Sequence, residues 1–140
     1  MFDERTVMGI LSGKRPAGLG VTNGKLKPPP SSPNAVASQA TDAHQIAPLA
    51  YRGSPEVAIT ALRAIVDSTA NTRIVEMRPD YLYAEYASSL LGFVDDVEFY
   101  LPPGANVIHV RSASRLGYSD LGVNRKRIEA IREKLLRAGA

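Results

Sequence analysis

Apolar residues first fall into a helical rhythm at Val57, Ala58, Ala61, Leu62, Ile65 and Val66. That three-and-four spacing gathers side chains on one face of an α-helix. Ser54 stands before the run as a natural N-cap, Pro55 suits the first helical position, and Glu56 complements the positive end of the helix dipole. The pattern predicts an amphipathic helix that begins after Ser54 and fades near Ala70 and Asn71, with its apolar stripe in a core.

Beyond residue 71 the period shortens towards two. Strand-like segments occupy residues 72–77, 81–88, 93–101 and 106–114, joined by the short turn-forming stretches RPD, SLLG and PPGA. Connections of that length are too short for parallel crossovers, so the strands meander antiparallel. A second helix is predicted over residues 123–137, with Ile128, Ile131 and Leu135 inward and Gly139 beyond its end. An extra edge strand over residues 46–51 would make the sheet five-stranded. The fold class that results is α+β, an antiparallel four- to five-stranded meander with two helices packed on one face.

Residues 1–50 obey neither rhythm. They are rich in glycine and proline, with Asn23–Gly24 as a tight-turn signal and Pro28, Pro29 and Pro30 favouring an extended polyproline segment. Leu19, Val21, Leu26 and Val36 recur within this region, which favours an extended strap laid across the domain over a free arm. The organisation expected is an extended, turn-rich segment over residues 1–40 and a single α+β domain over residues 41–140.

Charge changes the picture little. The 140 residues carry 17 Lys and Arg against 14 Asp and Glu, a formal charge of +3. The middle of the chain is acidic and the last forty residues are basic, so the two parts can neutralise each other within one fold. A nucleic-acid surface would need a basic stripe with interleaved aromatics or a known motif, and the basic end has neither. Nucleic acid is therefore not expected as a partner. Cysteine is absent, which removes disulfides, thiolate catalysis and thiolate metal sites. Two histidines, His44 and His109, are too few for an obvious metal centre, and no cofactor is implied. Nine uncharged residues between Glu85 and Asp95 are too few to span a bilayer. The opening stretch MFDERTVMGILSG makes a poor signal peptide, so the expected compartment is the cytoplasm.

The blocks TRIVEMRPDYLYAEY, GFVDDVEFYL and IHVRSASRLGYSDLGVNRKRIEAIR, together with GKRPAGLGV and SPNAVASQA, resemble the bacterial and plastid family called domain of unknown function 1499. The resemblance covers roughly residues 12–137. Its name carries no activity, so it implies no reaction. The family's usual PCPxSPNCVSS reads PPPSSPNAVAS here, with Pro29 and Ala35 where the resemblance leads one to expect cysteines. Both are missing together, as they would be if they normally bond to each other. Many family members also begin with an export or lipoprotein signal, and none is visible in this sequence. Both departures suit a reducing cytoplasm.

Strand alternation sorts the polar residues that could carry chemistry. Phe93, Asp95, Val97, Phe99 and Leu101 share one face; Val94, Asp96, Glu98 and Tyr100 take the other. In the last strand His109, Arg111 and Arg115 lie opposite Ile108, Val110, Ser112 and Ser114. Asp96, Glu98, His109 and Arg111 thus share the face away from the helices, and Glu85 can join them. One reading makes them a cross-strand charge ladder. The other has the strap cover them and form a polar cleft. Asp95, on an otherwise apolar face, needs a buried partner, and Arg125 or Arg127 at the start of the second helix would serve. The cations at 125–127 either face protein carboxylates, with Asp120 as helix cap, or bind an anion at the helix N-terminus.

The binding candidates are therefore Asp96, Glu98, His109, Arg111, Arg115, Tyr118 and Arg125, and the structural ion-pair candidates are Asp95, Asp120 and Arg127. The function expected first is a non-catalytic binding or accessory module for a small anionic or amphipathic ligand. An alternative is a cofactor-independent enzyme with Asp96 or Glu98 as general base and Arg111 and Tyr118 stabilising an anion. A protein-binding module is the third, and the sequence leaves the oligomeric state open. Ser112, Ser114, His109 and Asp96 lack the nucleophile-elbow context of a hydrolase. Asp95, Asp96 and Glu98 lack an oxygen-ligand loop for a cation. His44, in polar sequence, is expected to be exposed.

Overall fold

A computed structural model describes residues 13–88 and 92–140 of the chain. The SLLG connection and the opening stretch read above fall wholly or largely outside these residues. In chain order the elements are β1 (Ala35–Ala37), β2 (Leu49–Ala50), α1 (Pro55–Asp67), β3 (Thr72–Arg78), β4 (Tyr81–Ala87), β5 (Val94–Tyr100), β6 (Val107–Ser114) and α2 (Val123–Arg137). The sheet has six strands, ordered β1-β6-β5-β4-β3, with β2 also paired to β6. Every strand pairing is antiparallel. The fold is α+β, with the two helices on one face of the sheet and the N-terminal segment crossing the other.

Local chemistry accounts for the helix ends. Ser54 caps α1 by accepting from the Val57 N–H at 3.2 Å, and Pro55 follows it. Its inward stripe differs by one position from the predicted one. Val57 is 56% exposed, while Ile59 packs inside with Ala58, Leu62, Ile65 and Val66. α2 starts from Gly122, whose left-handed φ of 80° follows another left-handed residue, Leu121. Asp120 serves the orphan donors there: Oδ1 accepts from the Gly122 N–H at 2.8 Å and Oδ2 from the Asn124 N–H at 3.0 Å.

The short strand β1 lies within the proline-rich N-terminal segment, where alternation over three residues gives no readable signal. It pairs with β6 over Ala113, Ser112 and Arg111. The fifth strand expected over residues 46–51 contracts to the two residues of β2, opposite Ile108 and Val107.

Two apolar clusters lie on opposite faces of the sheet. The larger joins Leu82, Ala84, Val97, Phe99, Ile108 and Val110 to Leu62, Val66, Ile128 and Leu135 of the helices. The smaller joins Tyr81, Tyr83 and Tyr100 to Leu26, with Leu19, Val21 and Val75 packed against it. Leu19, Val21 and Leu26 come from the strap, so that segment carries its own apolar anchors. The backbone fixes it further: the Leu26 N–H donates to Gln39 Oε1 at 2.9 Å, and the Gly20 N–H donates to Glu98 Oε2 at 2.7 Å.

Candidate functional site

Register decides which charges meet beneath the strap. β4 and β5 set Glu85 opposite Asp96 and Tyr83 opposite Glu98; β5 and β6 set Glu98 opposite Arg111 and Asp96 opposite Ala113. Two residues past Ala113, Arg115 projects from the same face and returns over Asp96. Its Nε donates to Asp96 Oδ2 at 2.8 Å and its Nη2 to Asp96 Oδ1 at 2.8 Å, a bidentate pairing. The same Nη2 reaches Glu85 Oε2 at 2.5 Å. Arg15 of the strap closes on Glu85 Oε2 from the other side, through Nε at 3.0 Å and Nη2 at 2.7 Å, and stacks over the Tyr83 ring at 5.8 Å. Arg73 Nη1 lies 3.8 Å from Glu85 Oε1.

The side chains of Glu85, Asp96 and Arg115 are almost wholly buried. Burial alone would raise the Glu85 carboxyl, but hydrogen bonds from Arg15 and Arg115 outweigh it and hold Glu85 below the ordinary glutamate range. Arg115 is also desolvated, yet its bonds to Asp96 and Glu85 raise its pKa further. The phenols of Tyr81 and Tyr83 complete the set. Tyr83 donates to Asp96 Oδ1 and Tyr81 to Glu98 Oε2, each at 2.5 Å. Burial and those carboxylates push both phenols well above their usual range, so they remain donors.

Glu98 and Arg111 stand apart from this saturated group. Glu98 is fully buried and spends Oε2 on Tyr81 and Gly20, while Oε1 has no hydrogen-bond partner among the described residues. Burial raises its carboxyl above the usual range, against the lowering effect of those donors. Arg111, 4% exposed, donates from Nε to Lys27 O at 2.9 Å and from Nη2 to Pro28 O at 3.3 Å. Its Nη1 is buried and unpartnered, and no carboxylate comes within ion-pairing distance of its guanidinium among the described residues. Beside it lies a cavity of about 400 Å³, lined by Lys14, Lys27, Pro28, Asp96, Arg111 and Arg115, among others.

The remaining sequence candidates lie elsewhere. His109 shares the face of Arg111 but sits opposite Tyr100, with its Nδ1 3.0 Å from Ser38 Oγ, and burial lowers its pKa. Tyr118, Asp120 and Arg125 line a separate cavity of about 350 Å³ with His44. There Arg125 donates to the carbonyls of Ala43 at 3.3 Å and Gln45 at 3.0 Å. His44 departs from the exposed position expected of it. Its side chain is 11% exposed and bridges Ser32 O and Asp42 Oδ1, each at 2.8 Å, and these bonds raise its pKa. On the helix face Arg127 pairs with Asp95 at 2.7 Å and lies 4.7 Å over the Tyr86 ring. The three cations that open α2 thus have different surroundings: Arg125 meets carbonyls, Arg127 meets Asp95, and Lys126 is exposed.

Several contributors escaped sequence reasoning. Tyr81 and Tyr83 alternate with Glu85 in YLYAEY, a signal that would have placed them on the polar face. Lys14, Arg15 and Lys27 carry no local signal, because the strap has no period. The buried Asn124 is another. Its Nδ2 donates to Asn34 O at 3.1 Å, Ser114 Oγ at 2.9 Å and Asp120 Oδ2 at 2.8 Å, and its Oδ1 accepts from Ser112 Oγ at 2.6 Å and Arg127 Nη1 at 2.7 Å.

Among the described residues no group of three or more His, Asp or Glu is placed to hold a metal ion, and no helix is long and apolar enough to cross a membrane. Comparison with curated proteins finds no match. Residues 25–135, from the strap to the last turn of α2, match the family model described as protein of unknown function (DUF1499), and the chain belongs to that family.

Proposed function

We propose that this protein is a non-catalytic binding module that holds a small anionic ligand, such as a carboxylate or phosphate, in the cavity between the strap and the sheet. The observation that carries this reading is Arg111: a buried guanidinium with one unpartnered nitrogen and no carboxylate in ion-pair contact, lining a cavity that also collects Lys14 and Lys27. Burial disfavours the charged form of Arg111 more than Glu98 and Asp96, acting through space without an ion pair, favour it, and an anion in that space would relieve the cost. The balance supports the same sign of ligand. Beneath the strap three carboxylates, Glu85, Asp96 and Glu98, face four guanidiniums, Arg15, Arg73, Arg111 and Arg115, and the two lysines come in addition. Guanidinium groups suit planar or tetrahedral oxyanions because their donors diverge in a fixed fork.

The enzymatic alternative has less support. Asp96, the carboxylate that lines the cavity, already accepts from Arg115 and Tyr83 on both oxygens, so it is poorly placed to accept a substrate proton. Tyr118, the expected anion stabiliser beside Arg111, lines a different cavity. The cytoplasm remains the proposed compartment, since a chain without cysteine has no disulfide to protect.

Thermal unfolding with inorganic phosphate or malonate, against sodium chloride at matched ionic strength, tests the reading. The anions should raise the midpoint by a few degrees beyond chloride, and the double variant Lys14→Gln, Lys27→Gln should lose most of that gain while unfolding near the wild-type midpoint in chloride. Equal midpoints in all three salts contradict the reading.

A further inference from the structure

We propose that a second site, where β4, β5 and β6 meet the start of α2, takes a small neutral apolar molecule bearing one hydrogen-bond acceptor. The cavity there measures about 340 Å³, roughly twice the ~150 Å³ of an engineered apolar cavity that holds benzene. Phe93, Val94, Leu116 and Val123 supply apolar wall. Phe93, Leu116 and Val123 are each more than a third exposed, although large apolar side chains ordinarily gain by burial. Tyr86 supplies the polar handle. It is 7% exposed, and its hydroxyl is buried with no hydrogen-bond partner among the described residues.

The chemistry of the lining selects the class of molecule. Burial pushes the Tyr86 phenol up to about 12, so the hydroxyl stays protonated and can donate. An unmatched buried hydroxyl destabilises the fold, and a carbonyl or ether oxygen would satisfy it. Charge argues against an anionic head. Asp95 and Asp120 both line the cavity, and among the described residues Arg127 is the one cation in its lining. That guanidinium is already committed to Asp95, Ser112 and Asn124. An anion would meet two carboxylates with no cation to spare, so the apolar cavity and the cavity beside Arg111 select opposite kinds of ligand.

Titration of the ¹⁵N-labelled full chain with 2-octanone, and separately with octanoate, tests this. 2-Octanone should shift the amides of Val94, Ser114 and Val123 saturably and bind more tightly than octanoate. Tyr86→Phe, which removes only the unpartnered hydroxyl, should weaken 2-octanone by about fivefold, the factor expected from one neutral hydrogen bond, with an unchanged or higher melting midpoint. Absence of saturable shifts, equal affinity in Tyr86→Phe, or a preference for octanoate overturns the proposal. So does sedimentation showing that a second copy of the chain covers Phe93 and Leu116. The anion reading is read out at Arg111 instead, so either proposal can fail without the other.

Discussion

Glu98 and Arg111 stand directly opposite each other on β5 and β6, both buried, yet they form no ion pair. Glu98 turns to Tyr81 and to the Gly20 N–H, while Arg111 turns to the carbonyls of Lys27 and Pro28. The strap has thus drawn apart two charges that a bare sheet would have paired. Among the described residues each keeps one polar atom without a hydrogen bond, and Arg111, offset by Glu98 and Asp96 only through space, stands beside a cavity.

The raised carboxyl of Glu98 has a definite sign in pH dependence. The unfolded chain ionises this residue in the ordinary range, near its reference value of 4.5, and the folded chain only above it. Stability from this residue therefore falls as pH rises from the ordinary range through the raised one. Glu98→Gln, which still accepts from Tyr81 and Gly20, should remove that fall. Urea unfolding at several pH values between 4 and 8 should show the variant gaining on wild type as pH rises; parallel curves would contradict the assignment.

Glu85 works in the opposite direction. Its carboxyl is held low by Arg15 and Arg115, so its contribution is present above the ordinary glutamate range and is lost as pH falls through the lowered value. Arg15→Ala should cost only a fraction of a kcal/mol to about 1 kcal/mol, because Arg15 is 40% exposed and Arg115 remains on Glu85. Its clearer effect should be on the strap: residues 14–36 resist limited proteolysis in wild type and are cut faster in the variant. Rapid cutting throughout that stretch in wild type, with stability intact, would contradict an ordered strap.

Asp95→Ala should be among the most damaging changes in the sheet. It strands Arg127, and breaking a buried pair costs about 3–5 kcal/mol, with the lower end expected because both side chains keep slight exposure. Asp95→Asn, which can still accept from Arg127, should cost less. Denaturant unfolding of the two variants settles the order, and an unchanged midpoint for Asp95→Ala would show a solvated carboxylate.

Asn124→Ala should be comparably severe. Deleting the amide takes one of two partners from each of Asn34 O, Ser112 Oγ and Arg127 Nη1, leaving Asn34 O with the Ser114 N–H and the other two with each other, for a loss of about 3 kcal/mol from several hydrogen bonds at once. The check is urea unfolding beside Asn124→Asp, which retains the acceptor but brings a second carboxylate close to Asp120.

What was legible in the sequence follows the physical reach of each signal. Both helices and the four long strands announce themselves through local periodicity, and alternation alone puts Asp96, Glu98 and Arg111 on one face and Asp95 on the other. Pairing is a long-range property. Nothing near Arg115 says that it will return across Asp96 to Glu85, and nothing near Arg15 says that it will reach Glu85, seventy residues away. β1 is too short to alternate, and Tyr118 sits in a turn whose direction is set by left-handed residues at Gly117, Leu121 and Gly122. That turn carries it away from Arg111, which is why residues close in sequence divide between two cavities.

If Arg111 is a binding group with an unmet donor, its own guanidinium reports the binding. Nitrogen-detected NMR of the arginine side chains during titration with inorganic phosphate, at constant ionic strength, follows Arg111 directly once Arg111→Lys has identified its signal. Phosphate should produce a saturable shift of the Arg111 resonances, weakened when Lys14 and Lys27 are both replaced by glutamine, while Arg127, on the helix face of the sheet, remains unmoved. An Arg111 signal indifferent to phosphate, with that of an exposed arginine such as Arg137 shifting in its place, would contradict it.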